Sequence, residues 1–164
     1  MHFDVVIVGG GLVGASLAAS LQHTSLRVAL IDAKMPTNND PRLFALNNSS
    51  CRFLENLKIW PSLESLSAPI KQVHVSQCKQ FGAVRLRATD VDLLSLGHVI
   101  PAFHIETALN AALQEMPHVT CFRPATLTDL KQVTTENELL HHLTINLPND
   151  ILTITAPLII GADG

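Results

Sequence analysis

Tyrosine is absent from this chain, and aromatic residues of all kinds make up only 4% of it. Nucleic-acid surfaces that work by stacking need rings to stack on, so that reading starts without its materials. Charge is thin as well. Asp, Glu, Lys and Arg together supply 15% of residues, and the formal net charge is −3. A nucleic-acid-binding face would need clustered Lys and Arg instead, so no nucleic-acid partner is expected. Only three cysteines occur, Cys51, Cys78 and Cys121. Their odd number and scattered spacing match neither a disulfide framework nor a C-x-x-C metal site, and suit a reducing compartment. No apolar run approaches the ~20 residues that span a bilayer, so membrane contact is expected to be peripheral at most. The N-terminus does not read as a signal peptide, because Asp4 interrupts it and the following apolar run is short and ends in glycines.

What is present fits one soluble domain of 164 residues, 47% of them hydrophobic. Residues 3–8 form a short β-branched apolar run, as in a strand buried on both faces. A helix is predicted over 12–22, with Val13, Leu17 and Leu21 on one stripe and small residues around them that would let it lie close to a sheet. A second apolar strand covers 27–31 and a polar loop covers 34–41. Asn47, Asn48 or Ser49 would cap a helix carrying Phe53, Leu54 and Leu57, which Trp60-Pro61 would end. Strands are predicted over 70–77 and 81–87. Ile105, Ala108, Leu109, Ala112, Leu113 and Met116 follow helical spacing up to Pro117. Further strands are predicted over 118–122, 126–133, 139–147, 151–155 and 158–160.

Gly9-x-Gly11-x-x-Gly14 would be weak evidence alone. Here a strand precedes it, a helix follows, and a second strand closes at Asp32, all within about 30 residues. Each part has a mechanical reason. Gly9 permits a tight turn, Gly11 lets a pyrophosphate approach the backbone, and Gly14 lets helix and strand pack closely. The free N–H groups at the helix start, around Leu12 and Val13, would face the phosphates with the favourable end of the helix dipole. Asp32 can accept hydrogen bonds from ribose hydroxyls, and a carboxylate there disfavours a 2′-phosphate. The unit by itself does not separate FAD from NAD. Other constellations fail. His141 and His142 are adjacent on a predicted strand and point to opposite faces, and His118 and Cys121 also split across one. No carboxylate cluster accompanies them, so no metal site is expected. Ser49-Ser50 lacks the glycine elbow of a serine hydrolase.

Two further segments carry a family likeness. Asp40-Pro41-Arg42-Leu43-Phe44-Ala45-Leu46 resembles the D-x-R-x-x-A-L segment of FAD-dependent aromatic hydroxylases, the p-hydroxybenzoate-hydroxylase-like flavoproteins. The stretch from Ala156 to Gly164 resembles their apolar strand followed by GADG. Trp60-Pro61-Ser62-Leu63, the segment from Ile70 to Ser76, and Leu96-Gly97-His98-Val99 are similar to the ubiquinone-biosynthesis branch of that family. The resemblance implies an α/β fold: a Rossmann-like FAD-binding domain with a parallel sheet plus an antiparallel β meander, its substrate domain incomplete. Residues 1–164 would then be an FAD-binding domain fragment. Within it, 3–32 would be the β-α-β unit, 70–87 part of the incomplete substrate-domain excursion, and 118–160 the β-rich part. Arg42 would sit beside the FAD pyrophosphate or flavin edge, and Asp163 near the pyrophosphate or ribityl chain. At His104 the sequence departs from relatives that carry Arg or Asn, and it is left out of the site.

For the intact protein, the resemblance implies a flavin monooxygenase. NAD(P)H would reduce bound FAD, and the flavin would take up O2 as a C4a-hydroperoxide and hydroxylate a polyprenyl methoxyphenol in ubiquinone biosynthesis. No catalytic acid or base can be named in these residues. The implied setting is cytoplasmic, peripheral on the inner membrane, beside other ubiquinone-biosynthesis enzymes. Two rivals stand: a flavoprotein of another reaction, such as a halogenase or prenyl reductase, and an FAD- or NAD-binding fragment without catalytic activity. The chain alone is expected to bind FAD weakly or not at all and to hydroxylate nothing, since the family continues past GADG.

Overall fold

Runs of branched apolar residues with no polar alternation need cover on both faces, and a parallel sheet between layers provides it. The computed structural model describes residues 1–37, 40–79, 81–134 and 139–164. The first half of the chain runs β1 (Val5–Val8), α1 (Leu12–Ser20), β2 (Val28–Ile31), β3 (Leu43–Asn47), α2 (Asn48–Asn56), α3 (Trp60–Leu63), β4 (Ala68–Pro69), β5 (Gln72–Ser76) and β6 (Ala83–Arg87). It continues with β7 (Gly97–Pro101), α4 (Ala102–Gln114), β8 (Val119–Phe122), β9 (Thr126–Thr134), β10 (Leu139–Leu147), β11 (Asp150–Ala156) and β12 (Leu158–Gly161). The chain divides into two compact units, Met1–Thr37 with Leu109–Gly164, and Asn38–Ala108.

In the first unit, β12, β1, β2 and β8 lie side by side in that order, all parallel. Val5 pairs with both Leu158 and Val28, Val28 pairs with Val119, and no strand slips. All four strands therefore finish level, at Gly161, Val8, Ile31 and Phe122. One face of this sheet presents Val6, Ala29, Ile31 and Phe122 to Leu143, Ile145, Ile154 and Ala156 of the antiparallel β9–β10–β11 sheet. Phe3 meets Phe122 edge to face, with ring centroids 6.0 Å apart. Along β10, Leu143 and Ile145 are buried while Asn146 is exposed, the alternation of a sheet with one wet face.

The other face of the parallel sheet is covered differently from the sequence expectation. α1 turns Gly14, Ala15, Ala18 and Ala19 inward, and Val13, placed on the predicted apolar stripe with Leu17 and Leu21, is 72% exposed. Large residues on the inner stripe would hold the helix off the strands. The small ones bring it close enough that a Cβ on Gly14 would lie 3.2 Å from Ile7 Cγ2. The helix stops at Ser20, two residues short of the prediction.

The second unit holds one feature that the sequence reading left unassigned and one that it placed wrongly. Leu43–Asn47 is a strand, pairing antiparallel with β7 from Leu43↔Pro101 to Asn47↔Gly97. Of the loop expected over 34–41, residues 38 and 39 lie outside the described residues. Asn47 closes β3 and caps α2, its side chain accepting the Ser50 N–H at 2.8 Å. Trp60-Pro61 does not end α2. That helix stops at Asn56, Lys58 adopts φ 60°, and Pro61 sits in the first turn of α3, where its missing N–H leaves no bond unmade. Leu54, Leu57, Ile59, Trp60, Leu63 and Ile100 are buried here. β5 and β6 form a separate antiparallel hairpin whose pairs Val73↔Leu86 and Val75↔Val84 are all exposed.

At the amino ends of β1 and β2, Asp4 accepts the Arg27 backbone N–H at 2.7 Å and the guanidinium at 3.2 and 3.3 Å. Arg27 holds the Asp4 carboxyl below its ordinary pKa, chiefly through the side-chain hydrogen bond. The stabilisation is thus complete above the unfolded carboxyl's value of about 3.9 and fades as pH falls through the lower folded value. The stability gap between the unsubstituted chain and Asp4→Asn, measured by urea unfolding, is expected at pH 7 and should close below ~pH 4.

Candidate functional site

Because the four parallel strands end level, the residues that follow them arrive at one edge: Gly9 after β1, Asp32 after β2, Arg123 after β8 and Ala162 after β12. Gly9 donates its N–H to Ile31 O at 2.8 Å, and Ala162 donates to Val8 O at 2.6 Å. Gly9 adopts φ +106°, and a Cβ there would strike the Ala162 carbonyl. A Cβ on Gly14 would strike the Gly9 carbonyl, so the first turn of α1 rests directly on the glycine turn. Gly11 is the opposite case, since a Cβ on it would meet nothing within 4 Å.

Gly11 is also the N-cap of α1, with extended backbone (ψ −170°), and it supplies no side-chain cap. The helix therefore begins with uncapped N–H groups at Leu12 and Val13, beside open space, at the positive end of its dipole. Such a cradle takes an anion held against the main chain. Leu12 is half-buried and Val13 is exposed beside it.

Asp32 is turned toward this loop. Its Oδ2 accepts the Gly10 N–H at 3.0 Å and its Oδ1 accepts the Lys34 N–H at 3.0 Å. A carboxylate oxygen has more than one acceptor position, so both remain able to take a ligand hydroxyl. Arg123 approaches from β8. Its Nη2 donates to the Gly10 carbonyl at 2.8 Å and its Nη1 to Asn110 Oδ1 at 2.5 Å. A Cβ on Gly10 would collide with that guanidinium and lie 2.7 Å from Asp32 Oδ2.

Of the residues singled out from sequence, Gly9, Gly11, Leu12, Val13, Gly14, Asp32 and Asp163 meet at this edge of the first unit. Asp163 is exposed and follows Ala162, and its backbone N lies where a Gly9 Cβ would project. Arg42 belongs to the second unit. There its Nε donates to Asp40 at 2.8 and 3.0 Å, and its guanidinium lies 5.7 Å from the Phe44 ring centre. That hydrogen bond holds the Asp40 carboxyl below the usual carboxylate range. His104 packs on the Phe103 ring, centroids 4.0 Å apart. Gly10, Asn110 and Arg123 escaped the sequence reading. Arg123 had one usable signal: like Asp32, it is the first polar residue after a short apolar strand. Among the described residues, no group of three or more His, Cys, Asp or Glu is gathered as a metal site would need.

A family model described as an FAD binding domain matches residues 2–164. The chain belongs to this FAD-binding domain family. It is 33% identical over 165 residues to an uncharacterised protein of Synechocystis sp. (strain ATCC 27184 / PCC 6803 / Kazusa), covering 99% of this chain and 39% of that protein. It is 27% identical over 168 residues to the 3-demethoxyubiquinol 3-hydroxylase of Escherichia coli (strain K12), covering 98% of this chain and 41% of that one. Among solved structures, the OxyS anhydrotetracycline hydroxylase from Streptomyces rimosus superposes with a TM-score of 0.81 at 17% identity, over 100% of this chain and 32% of that one. The chain thus spans about two fifths of the length of the curated relatives it matches.

The glycines of this FAD-binding domain separate by what a methyl group would meet. Gly14→Ala is expected to destabilise the chain by about 1–3 kcal/mol, because the helix must lift off the turn. Gly11→Ala should cost no more than about 1 kcal/mol, the difference between glycine and alanine at an N-cap, while it obstructs the anion cradle. Thermal unfolding without ligand, beside an FAD titration of each variant, separates the two effects.

Proposed function

We propose that this chain is the FAD-binding N-terminal part of a flavin monooxygenase that hydroxylates a polyprenyl methoxyphenol in ubiquinone biosynthesis, with NAD(P)H as reductant and O2 as co-substrate. The observation that carries the cofactor is the cradle: uncapped N–H groups at Leu12 and Val13 beside open space at Gly11, with the Asp32 carboxylate fixed at the same edge. FAD fits these groups. The α1 amides would hold its diphosphate, and Asp32 would accept from the adenosine ribose. Arg42 would sit beside the pyrophosphate or flavin edge, and Asp163 near the pyrophosphate or ribityl part.

Bound and reduced FAD supplies the oxygen-activating chemistry. The protein's residues bind and orient it. Asp32 keeps the ribose hydroxyls paired and, by its charge, disfavours a 2′-phosphate. The phenol substrate draws its support from the name of the Escherichia coli relative and from the likeness of Trp60-Pro61-Ser62-Leu63 to the ubiquinone-biosynthesis branch. We place the protein in the cytoplasm, in peripheral contact with the inner membrane where a polyprenyl substrate resides, beside other enzymes of that pathway. No helix among the described residues is long and apolar enough to cross a membrane.

Titration of the chain with FAD, followed by flavin fluorescence, tests the cofactor. Saturable binding is expected, with ADP competing and NADP failing to compete. Asp32→Ala should weaken binding about tenfold or more, the loss of hydrogen bonds to a charged acceptor. Retention of NAD in preference to FAD would sink the proposal. For the substrate, ring hydroxylation of a polyprenyl methoxyphenol, scored against NAD(P)H oxidation in the protein at its full natural length, is the deciding measurement.

A further inference from the structure

Three consecutive glycines, Gly9, Gly10 and Gly11, carry no side chains with which to fix their own conformation. Glycine loses more backbone freedom on ordering than any other residue, so such a turn holds its shape only if its surroundings impose it. Gly9 is imposed by the sheet, through its N–H to Ile31 O and the close Ala162 carbonyl. Gly10 is gripped on both sides. Its N–H is taken by Asp32 Oδ2 at 3.0 Å and its carbonyl by Arg123 Nη2 at 2.8 Å.

The carbonyl bond has a directional consequence. Gly10 O and the Gly11 N–H belong to one trans peptide plane and point in opposite directions. Fixing the carbonyl on the guanidinium therefore aims the Gly11 N–H away from Arg123. The guanidinium is itself held, because Nη1 donates to Asn110 Oδ1 on α4 at 2.5 Å. Two arms of one rigid fork thus tie the glycine turn to a helix, which a lysine's single ammonium cannot reproduce. Arg123 Nε is buried without a hydrogen-bond partner, so the side chain is held there at the expense of one donor. Its charge also stands beside the turn with part of its solvation removed, where a cation favours a bound anion more than it would in water.

We propose that Arg123, braced by Asn110, is the positioning residue that orients the Gly10–Gly11 peptide and so sets the affinity of this site for a diphosphate, an inference that rests on the FAD reading above. Arg123 acts through the main chain and need not touch the ligand.

A residue that only supported the fold would weaken every ligand alike. One that aims the diphosphate-binding amides discriminates by phosphate. The chain is therefore titrated with FAD, ADP and adenosine, with circular dichroism to verify folding. Arg123→Met is expected to lose about tenfold or more in affinity for FAD and ADP, as for a hydrogen bond to a charged group, and to bind adenosine as before. Asn110→Ala should lose less, in the same ligand-selective way, and the double variant should be no weaker than Arg123→Met alone, since the two act through one bond chain. Arg123→Lys should recover only part of the loss. If Arg123→Met fails to fold, Asn110→Ala decides the matter alone. ADP and adenosine weakened equally, or ADP binding unchanged in the folded variants, would overturn the proposal. Should the unsubstituted chain bind neither FAD nor ADP, the cofactor reading fails first, and the role of Arg123 falls with it.

Discussion

Parallel pairing without slip decides what the rest of this molecule can do. β12, β1, β2 and β8 are each four residues long, and every pair keeps the same register. A slip of one residue in any of them would reverse its faces, placing Val6 or Ile31 among the helices and removing them from the core shared with β10 and β11. It would also break the line on which the strands end. Gly9, Asp32, Arg123 and Ala162 reach one edge only because that line holds. The site is thus a property of register first and of individual side chains second.

Space is the second constraint, and it acts in both directions. At Gly14 and Gly9 the backbone comes so close to its neighbours that no side chain fits, and α1 is drawn down onto the turn. At Gly11 the room is left unfilled. The same residue type therefore serves tight packing at two positions and borders open space at a third. Around them, polar contacts replace what glycines cannot supply. Asp32 and Arg123 grip Gly10 from opposite sides, each following a strand other than β1.

Much of this was legible in the sequence, for reasons that can be named. The two apolar strands flanking Gly9-x-Gly11-x-x-Gly14, the acid at Asp32, the strands of the last third and the helix through Leu109 and Leu113 all obey local rules of period and composition. The errors and omissions came where tertiary contact outweighs local pattern. Val13 and Leu17 resemble a buried stripe, yet the sheet accepts only small residues at that distance. Leu43–Asn47 sits among polar and turn-forming residues and becomes a strand because β7 pairs with it. Pro61 looks like a stop and is instead a start. Arg123 could not be matched with Gly10 from sequence, since only the order β1–β2–β8 brings them together.

The order of the strands in space is not the order in which a ribosome makes them. β1 is synthesised first of the four, β2 soon after, and both then wait. β8 appears only after the whole of the second unit, and β12, which pairs Leu158 with Val5, follows the other three strands of the sheet. Until then one flank of β1 has no neighbour, and its amides and carbonyls on that side stand open to any passing strand. Domains that close through such distant pairings fold slowly and expose apolar surface while they wait. A nascent chain therefore carries β1 with one flank unpaired until Leu158–Gly161 has been made, and its central strand is completed by the segment most distant from it in the sheet's own order of synthesis.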